Sequence, residues 1–398
     1  MNFPFYISTR YLRETQKGSF TRVAGLLSIA GLAVGVSALL ITLFILNGFE
    51  RVISDKISQF DGHIRIRHFL SEPIQSEITS LDSIVALNHN NVTHTKFIQG
   101  PALLRKGKSA EGVILEGIES KRVKYLENLL VEGIFDINGN STIIGKGLAE
   151  QLNLSIGEEF VLFDIMTLQS SQKRIKKFII TGLFHSGMTE YDNSLIFTSI
   201  KNAGDLFGMK GKVSGHTLSL YEPNESESLS RLLNNILPYP FMVMSWKEKN
   251  HALFKWMDIQ RLPILIIFGL ISLVGIVNII SALAMITIDK VRQIALLKSL
   301  GLNKVRVNQI FLLKGLIIGI IGSLLGSLIS VIIALLQNNF KIIKVPEDVY
   351  FMDFIPLDVN LFDIFIIFII VSIASVLASS WPSFRAANIN TARALKYE

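Results

Sequence analysis

The chain has 398 residues, a formal net charge of +7 and 49% hydrophobic residues, an average that would suit a soluble protein. The apolar residues are strongly clustered, however, and the basic residues gather beside the long uncharged runs, as membrane orientation requires. This distribution disfavours a nucleic-acid partner. The sequence contains no cysteine, which excludes disulfides and thiolate metal sites.

The N-terminal 49 residues predict a helix on the membrane surface followed by a membrane span. Residues 1–22 mix basic and aromatic side chains, which is typical of an interfacial helix on the inner leaflet. Residues 23–49 carry no charge, exceed the roughly 20 residues that cross the hydrocarbon core, and are too long for a signal-peptide core. Gly31 and Gly35 form a small-residue pair that would allow another helix to approach closely.

Residues 50–261 contain no further spanning run and predict a folded α+β domain, or two small ones in series. The predicted strands alternate apolar and polar residues between turn signals; they are His63 to Arg67, Thr95 to Leu104, Gly112 to Gly117, Thr142 to Ile144, Glu159 to Phe163, Arg174 to Phe184, Ser194 to Thr198, His216 to Tyr221 and Phe241 to Met244. The predicted helices are Lys146 to Leu152, Lys201 to Leu206 and Glu225 to Leu237.

Two local features of this domain are informative. The connection from Asp164 to Lys173 is longer than the common hairpin loop of two to five residues, and it exposes apolar side chains, which indicates either a contact surface or a slack loop. Ser245 and Glu248 have the spacing of a capping box, which predicts a helix leading through Trp256 into the second span.

Residues 262–288 and 315–340 are the second and third predicted spans, and residues 289–314 form a basic turn between them. Within the turn, Val291, Ile294, Ala295 and Lys298 share one helical face, and Gly301 supplies a helix stop. The excess of Lys and Arg predicts that the turn is cytoplasmic. The third span repeats the small-residue spacing at four glycines: Gly315, Gly319, Gly322 and Gly326.

Residues 341–363 form a largely acidic outer loop, residues 364–384 are the fourth span, and residues 385–398 form a basic cytoplasmic tail. The predicted fold class is therefore an integral membrane protein with four transmembrane α-helices and a large α+β periplasmic domain inserted between the first and the second. Both termini are predicted to be cytoplasmic.

The sequence offers no catalytic residues. The predicted spans contain no ionisable side chain, which disfavours a proton relay and hence a secondary transporter. Gly145-Lys146 and Gly211-Lys212 lack the Ser or Thr and the earlier glycine of a phosphate loop, so nucleotide energy must come from another chain. The histidine pairs fit no zinc spacing, so we predict no metal and no cofactor on this chain.

Four stretches resemble the ABC-transporter permeases of the lipoprotein-releasing (LolC/LolE) type, within a larger group that includes macrolide exporters (MacB-like) and the cell-division permease (FtsX-like). The stretch from Ser28 to Glu50 ends in Asn-Gly-Phe-Glu, and that from Gly182 to Leu195 contains Ser-Gly-Met-Thr-Glu-Tyr-Asp. These two resemble lipoprotein-releasing members in particular. Arg292 to Gly301 and Trp381 to Glu398 are similar to the coupling helix and the ending of the whole superfamily.

The resemblance implies a membrane subunit, not an enzyme, in the bacterial inner membrane. Two permeases, either two copies of this chain or this chain and a paralogue, would work with a dimer of ATPase subunits that holds ATP and Mg. A mechanical stroke would extract triacylated lipoproteins and pass them to a periplasmic lipoprotein carrier.

Three groups of site residues follow. The resemblance implies an ATPase-coupling site at Lys290, Arg292, Ile294, Leu297 and Lys298. It also implies a carrier-binding hook at Ile165, Met166, Leu168, Gln169 and Gln172. Acyl chains need an apolar groove, which the outer halves of the first two spans offer at Leu40, Leu43, Leu46, Leu262, Ile264 and Ile267.

Two alternatives remain at this point. One is an efflux or toxin-export permease of the same superfamily, which would work with an outer-membrane channel. The other is a non-transporting signal transmitter that uses ATPase strokes to activate a periplasmic hydrolase.

Overall fold

A computed structural model describes residues 20–78, 81 and 92–389, and these separate into two compact units. The helical unit comprises Met1–Arg51, Met257–Ile343 and Ile355–Glu398, and the second unit comprises Val52–Trp256 and Lys344–Phe354. The predicted interfacial helix falls almost entirely outside the described residues, as does most of the predicted tail.

Within the described residues, four helices have the length and composition to cross a membrane, as predicted. They are α1 (Phe20–Asp61), α8 (His251–Asp289), α10 (Lys304–Phe340) and α12 (Leu361–Ala387). A short helix, α9 (Val291–Ser299), lies between α8 and α10. The first three long helices extend about ten residues beyond their uncharged runs, because a helix needs no hydrophobic residues where it leaves the bilayer.

Helix α8 packs closely against α1 at small residues. A Cβ atom built on Gly35 would lie 3.2 Å from Cα of Ser272, and one on Gly275 would lie 3.2 Å from Cα of Leu32. The hydroxyl of Ser272 also donates to the carbonyl of Gly35 at 3.3 Å. The close approach predicted for the first span is therefore present.

Helix α10 uses its two glycine pairs against two different neighbours. A Cβ on Gly319 would lie 2.5 Å from Oγ of Ser375 in α12, whereas one on Gly326 would lie 2.7 Å from the carbonyl oxygen of Ala33 in α1. The four glycines share one face of α10, so α12 contacts that face at the level of Gly319 and α1 contacts it further along the helix, at Gly326.

The inserted unit is built on a ten-stranded mixed sheet with the order β12-β1-β11-β3-β4-β9-β6-β8-β5, in which β7 pairs with β3 and β8. The strands of this sheet are β1 (Ile64–His68), β3 (Val92–Lys106), β4 (Ser109–Ile118), β5 (Leu130–Gly133), β6 (Ser141–Gly145), β7 (Glu159–Asp164), β8 (Ile175–Phe184), β9 (Leu195–Ser199), β11 (Gly215–Leu220) and β12 (Phe241–Ser245); the short strands β2 (Ile74–Gln75) and β10 (Lys212–Val213) pair separately.

The helices of this unit are short. They are α2 (Ser120–Leu126), α3 (Lys146–Leu152), α4 (Thr189–Ser194), α5 (Ile200–Phe207), α6 (Ser226–Ile236), α7 (Trp246–Lys249) and α11 (Glu347–Tyr350). All nine predicted strands and all three predicted helices are confirmed within a few residues, and so is the capping box at Ser245 and Glu248. The predictions missed β2, β5, β10, α2, α4 and α11, which are too short to show a clear periodicity.

The sheet has one apolar and one mixed face at its centre. In β1, Ile64 and Ile66 are fully buried in the large apolar core, while Arg65 and Arg67 alternate onto the opposite face. Pairing of β1 with β11, and of β11 with β3, carries both faces across the neighbouring strands. The face that carries the arginines is also covered, since Arg65 is only 4% exposed.

Candidate functional site

The basic turn contains the predicted coupling residues, and the structure separates them into buried and exposed groups. Lys290 and Ile294 are buried within the chain, Leu297 and Lys298 are half-buried, and Arg292 is exposed. Lys290 and Ile294 therefore face the chain's own helices in this conformation. The coupling role itself stays a prediction.

The outward face of α9 carries, besides Arg292, two residues that the prediction did not name. Leu296 is 48% exposed and Leu300, just after the helix, is 84% exposed. Lys298 instead donates from Nζ to the carbonyl oxygens of Ala387 and Ile389 at 3.0 and 2.7 Å. It thereby attaches α9 to the end of α12, and its desolvation, followed by the nearby charge of Lys304, lowers the pKa of its ammonium group.

The predicted hook connects β7 and β8, which form the expected antiparallel pair. The loop is ordered by its own hydrogen bonds. The buried carboxylate of Asp164 accepts from the N–H of Met166 at 3.0 Å, and the hydroxyl of Thr167 accepts from the N–H of Arg174 at 3.1 Å. Arg174 in turn donates to the carbonyl of Phe207 in α5 at 2.6 Å. These hydrogen bonds hold the loop in a defined conformation.

This ordered loop presents one large apolar side chain to its surroundings. Met166 is 79% exposed and Ile165 is 36% exposed, while Leu168 is half-buried. Gln169 and Gln172 are exposed beside them. All five predicted hook residues lie on this loop, and Met166 is the most exposed of its apolar side chains.

The six predicted groove residues do not share one open surface. Leu40 and Leu43 are buried in the helical core, Leu46 and Ile264 are half-buried, and Leu262 and Ile267 are exposed. In this conformation Leu40 and Leu43 pack against neighbouring helices. The role in acyl-chain contact stays a prediction.

A concave apolar surface lies elsewhere between the same two helices. A cavity of about 720 Å³ is lined by residues of α1 between Ala24 and Gly35 and by residues of α8 between Ile271 and Met285. Its walls are mainly apolar. Gly31, Gly35 and Gly275 line it without side chains, which leaves the cavity wider. It lies toward the N-terminal end of α1, the opposite end from the predicted groove.

The Asn-Gly-Phe-Glu ending of the first span joins three of the long helices. Asn47 donates from Nδ2 to Oδ2 of Asp363 in α12 at 2.7 Å and accepts from Arg261 in α8 at 3.3 Å. Gly48 has no room for a side chain, because the carbonyl of Pro356 lies against it. This motif therefore sets the spacing of α1, α8 and α12.

The second family-like stretch forms a turn closed by one carboxylate. Asp192 accepts from the N–H and the hydroxyl of Ser186 at 2.8 and 2.7 Å, and from the N–H of Gly187 at 3.1 Å. Gly187 has φ +74°, a conformation that favours glycine. Tyr191 stacks on Phe60 with the ring centroids 4.8 Å apart.

The same turn holds the segment between the third and fourth long helices. His185 places Nδ1 2.8 Å from Asp192 and Nε2 3.2 Å from Glu347 in α11. Lys56, in the final turns of α1, lies 3.8 Å from the same glutamate. The turn therefore ties α11 to the sheet and to the end of α1.

A buried cluster of charges on the mixed face of the sheet was missed by the sequence analysis. Arg65 pairs with Glu116 at 2.9 Å and with Asp61 at 3.4 Å, and Lys249 pairs with Asp61 at 2.6 Å. Arg122 is buried beside them, where desolvation and then the charge of Arg65 lower its pKa to about 10. The only signal was the Ile-Arg-Ile-Arg alternation of β1, which a strand with one wet face also shows.

Both units of the chain match known family models. Residues 26–236 match the MacB-like periplasmic core domain, and residues 265–391 match the FtsX-like permease C-terminal domain. With the four long helices, these matches define a multi-pass membrane permease that carries a periplasmic core domain between its first and second spans.

Three relatives narrow this class further. The chain is 30% identical to the lipoprotein-releasing system transmembrane protein LolC of Neisseria meningitidis serogroup B, with 99% of both chains covered. It is 29% identical to the LolC of Xylella fastidiosa over 98% of both chains, and 27% identical to the LolE of Haemophilus influenzae over 99% of both. The chain belongs to the LolC/LolE family of lipoprotein-releasing transmembrane proteins, as the sequence motifs predicted.

Proposed function

We propose that this chain is the permease subunit of an ABC transporter that releases lipoproteins from the bacterial inner membrane. The observation that carries the proposal is the similarity to lipoprotein-releasing transmembrane proteins along almost the entire chain, including the inserted domain. In this arrangement residues 50–261 are periplasmic and both termini are cytoplasmic, because the basic residues flank the other ends of the spans.

The energy source in this proposal is ATP bound with Mg on a separate ATPase dimer, which contacts the turn between α8 and α10. The exposed side chains Arg292, Leu296 and Leu300 form the contact, supported from behind by the buried Ile294. Lys298 transmits the displacement to the end of α12, because its ammonium group is bonded to two carbonyls there. A second permease, as another copy or a paralogue, completes the assembly.

The lipoprotein leaves through contact with a periplasmic carrier at the hook. A rigid loop with one projecting apolar side chain suits this role, since little conformational entropy is lost when such a loop docks. Met166 would supply the apolar anchor, and Gln169 and Gln172 would supply adaptable hydrogen bonds at the rim.

The acyl chains need an apolar path between spans. The exposed Leu262 and Ile267 provide apolar surface at one end of α8, and the cavity of about 720 Å³ between α1 and α8 provides a concave apolar surface at the other. Acyl chains that enter between these helices would separate the seam at Gly35 and Gly275. We therefore include opening of this seam in the transport cycle.

The decisive experiment replaces residues 165–172 by a two-residue Asn-Gly turn. The antiparallel pairing of β7 with β8 should survive, because a two-residue turn is compatible with it. We expect normal assembly and ATP hydrolysis, loss of carrier binding, and retention of lipoproteins in the inner membrane by fractionation. The matched control is the single substitution Met166→Gln, which keeps the loop and should weaken carrier binding less severely.

Two results would contradict the proposal at different levels. Unchanged carrier affinity of the shortened chain would exclude the loop as the docking site. Normal lipoprotein sorting after depletion of the whole chain would exclude lipoprotein release and favour an efflux permease or a signal transmitter.

A further inference from the structure

A cavity of about 520 Å³ lies within the inserted unit, against the mixed face of the sheet. Its floor is formed by residues of β1, β3 and β4, and its sides by the end of α1, by α4 and by the end of α7. Three cations line it, namely Arg65, Arg67 and Lys249. The remaining wall is partly apolar, with Pro101 and Leu195 among its residues.

The guanidinium of Arg65 is buried but only partly satisfied. Its Nε donates to the carbonyl of Asp61 at 2.9 Å, and its Nη2 donates to the carbonyl of Phe60 at 3.1 Å and to Glu116 at 2.9 Å. Its third nitrogen, Nη1, is buried and has no hydrogen-bond partner among the described residues. A buried charged donor without an acceptor is costly, so Arg65 is stabilised when a shift of the cavity lining lets a ligand supply an acceptor.

Among the described residues, no carboxylate forms an ion pair with Arg67. It donates from Nη2 to the side-chain oxygen of Gln99 at 2.6 Å and packs over the ring of Phe97. Loss of hydration, and then repulsion from Arg65, lower the pKa of Arg67 to about 10, and the charges of Glu116 and Asp61 offset these effects only in part.

The two buried carboxylates near the cavity already accept hydrogen bonds from side chains of the protein. Asp61 bonds to Lys249 through both oxygens, and Glu116 accepts from Arg65 and from Gln99. The four cations of the cluster, which include Arg122 behind the cavity, therefore outnumber its two buried carboxylates. A further carboxylate, Glu190, is exposed at the rim and offsets one charge only.

We infer that this cavity binds the phosphate group of an organic phosphate ester. Cations from two positions of β1 and from α7 converge on it, which suits a tetrahedral anion with several oxygens better than a planar carboxylate. The apolar wall and a volume well above that of a bare phosphate leave room for an uncharged remainder of the ligand. The exposed Glu190 disfavours a second negative charge at the entrance.

The test uses the full chain in a phosphate-free maltoside detergent. Inorganic phosphate, sn-glycerol 3-phosphate and dihexanoylphosphatidylglycerol below its micelle concentration are titrated separately by calorimetry. We expect saturable binding of one ester per chain and a matching rise in the unfolding temperature. Tighter binding of the short-chain lipid would identify a phospholipid headgroup as the source, and tighter binding of glycerol phosphate would identify a soluble ester.

Three variants separate the site from general charge effects. Arg67→Gln should weaken binding at least about tenfold, and Arg67→Lys should weaken it less, because it keeps the charge but loses the planar donors. Arg105→Gln removes the same charge from an exposed position of β3 outside the cavity and should change nothing.

Three results would overturn the inference: no saturable binding of any phosphate probe, equal affinity of the wild type and Arg67→Gln, or equal losses in Arg67→Gln and Arg105→Gln. Saturable binding of succinate together with no binding of either ester would overturn the assignment to phosphate. These outcomes are independent of lipoprotein release, because they are measured on the isolated chain.

Discussion

At the scale of a single residue, the protonation of His63 is linked to the folding of the inserted unit. Its Nδ1 accepts a hydrogen bond from the backbone N–H of Leu220 at 2.8 Å, so this nitrogen carries no proton in the folded state. Partial burial, and then the charge of Arg122, lower the pKa of His63 from 6.5 to about 4. The folded state therefore favours the neutral ring.

We predict that the inserted unit loses stability as the pH falls from about 6.5 to about 4. In that window the unfolded chain binds a proton at His63 and the folded chain does not, so the free energy of unfolding rises with pH. The loss should be about 2 kcal/mol, since solvent screens part of the effect at a half-buried ring. Thermal unfolding followed by the fluorescence of the buried Trp246 measures it, with the other two tryptophans replaced by Phe.

The variant His63→Asn keeps an acceptor near the N–H of Leu220 but cannot be protonated. It should flatten the dependence of stability on pH, whereas His251→Asn, at an exposed position, should leave the dependence intact. An equally steep dependence in His63→Asn would assign the linkage to other groups.

At the scale of elements, the small-residue seams of α10 determine how closely the long helices pack. We predict that Gly319→Val destabilises the packing of α10 against α12 by several kcal/mol, because even its Cβ would lie 2.5 Å from Oγ of Ser375. Resistance to denaturation in detergent measures the effect. Gly269→Val in α8 is the control, since a Cβ there meets nothing within 4 Å. Equal stability of both variants would show that the seam can rearrange.

One face of helix α9 packs against its own chain, and another face is exposed, where a partner can bind. We predict that Leu296→Asp and Leu300→Asp abolish stimulated ATP hydrolysis while leaving the permease folded, because both side chains are exposed and a buried unpaired charge would weaken the contact. Leu297→Asp should also destabilise the chain itself, because Leu297 is half-buried. Copurification with the ATPase and its turnover rate measure the contact. Normal turnover in Leu300→Asp would place the partner on another surface.

At the scale of the whole molecule, orientation in the membrane determines which partner each surface can meet. We predict that single cysteines at Ser109 and Asn303 react from opposite sides of the membrane, since the first lies in the inserted unit and the second in the basic turn. Both positions are exposed, and the chain has no cysteine of its own. In intact spheroplasts an impermeant maleimide should label only position 109. Labelling of both positions would contradict the topology.

The sequence by itself determined the four long helices, the strands and the hairpin with its extended loop. An uncharged run longer than the bilayer core has few alternatives to a span, and alternation along a strand such as β1 or β8 directly reports a pleated backbone. The capping box at Ser245 was equally readable, because both of its hydrogen bonds lie within four residues of the chain.

Only the tertiary structure decided which side of each element is covered. Leu40 and Ile267 have similar hydropathy, yet one is buried between helices and the other is exposed, because a helix that is apolar all round carries no periodic signal of its packing face. Arg65 and Glu116 looked like solvent-facing strand residues. They are buried because α4 and the end of α7, distant in sequence, fold over that face of the sheet, and no local pattern records such a contact.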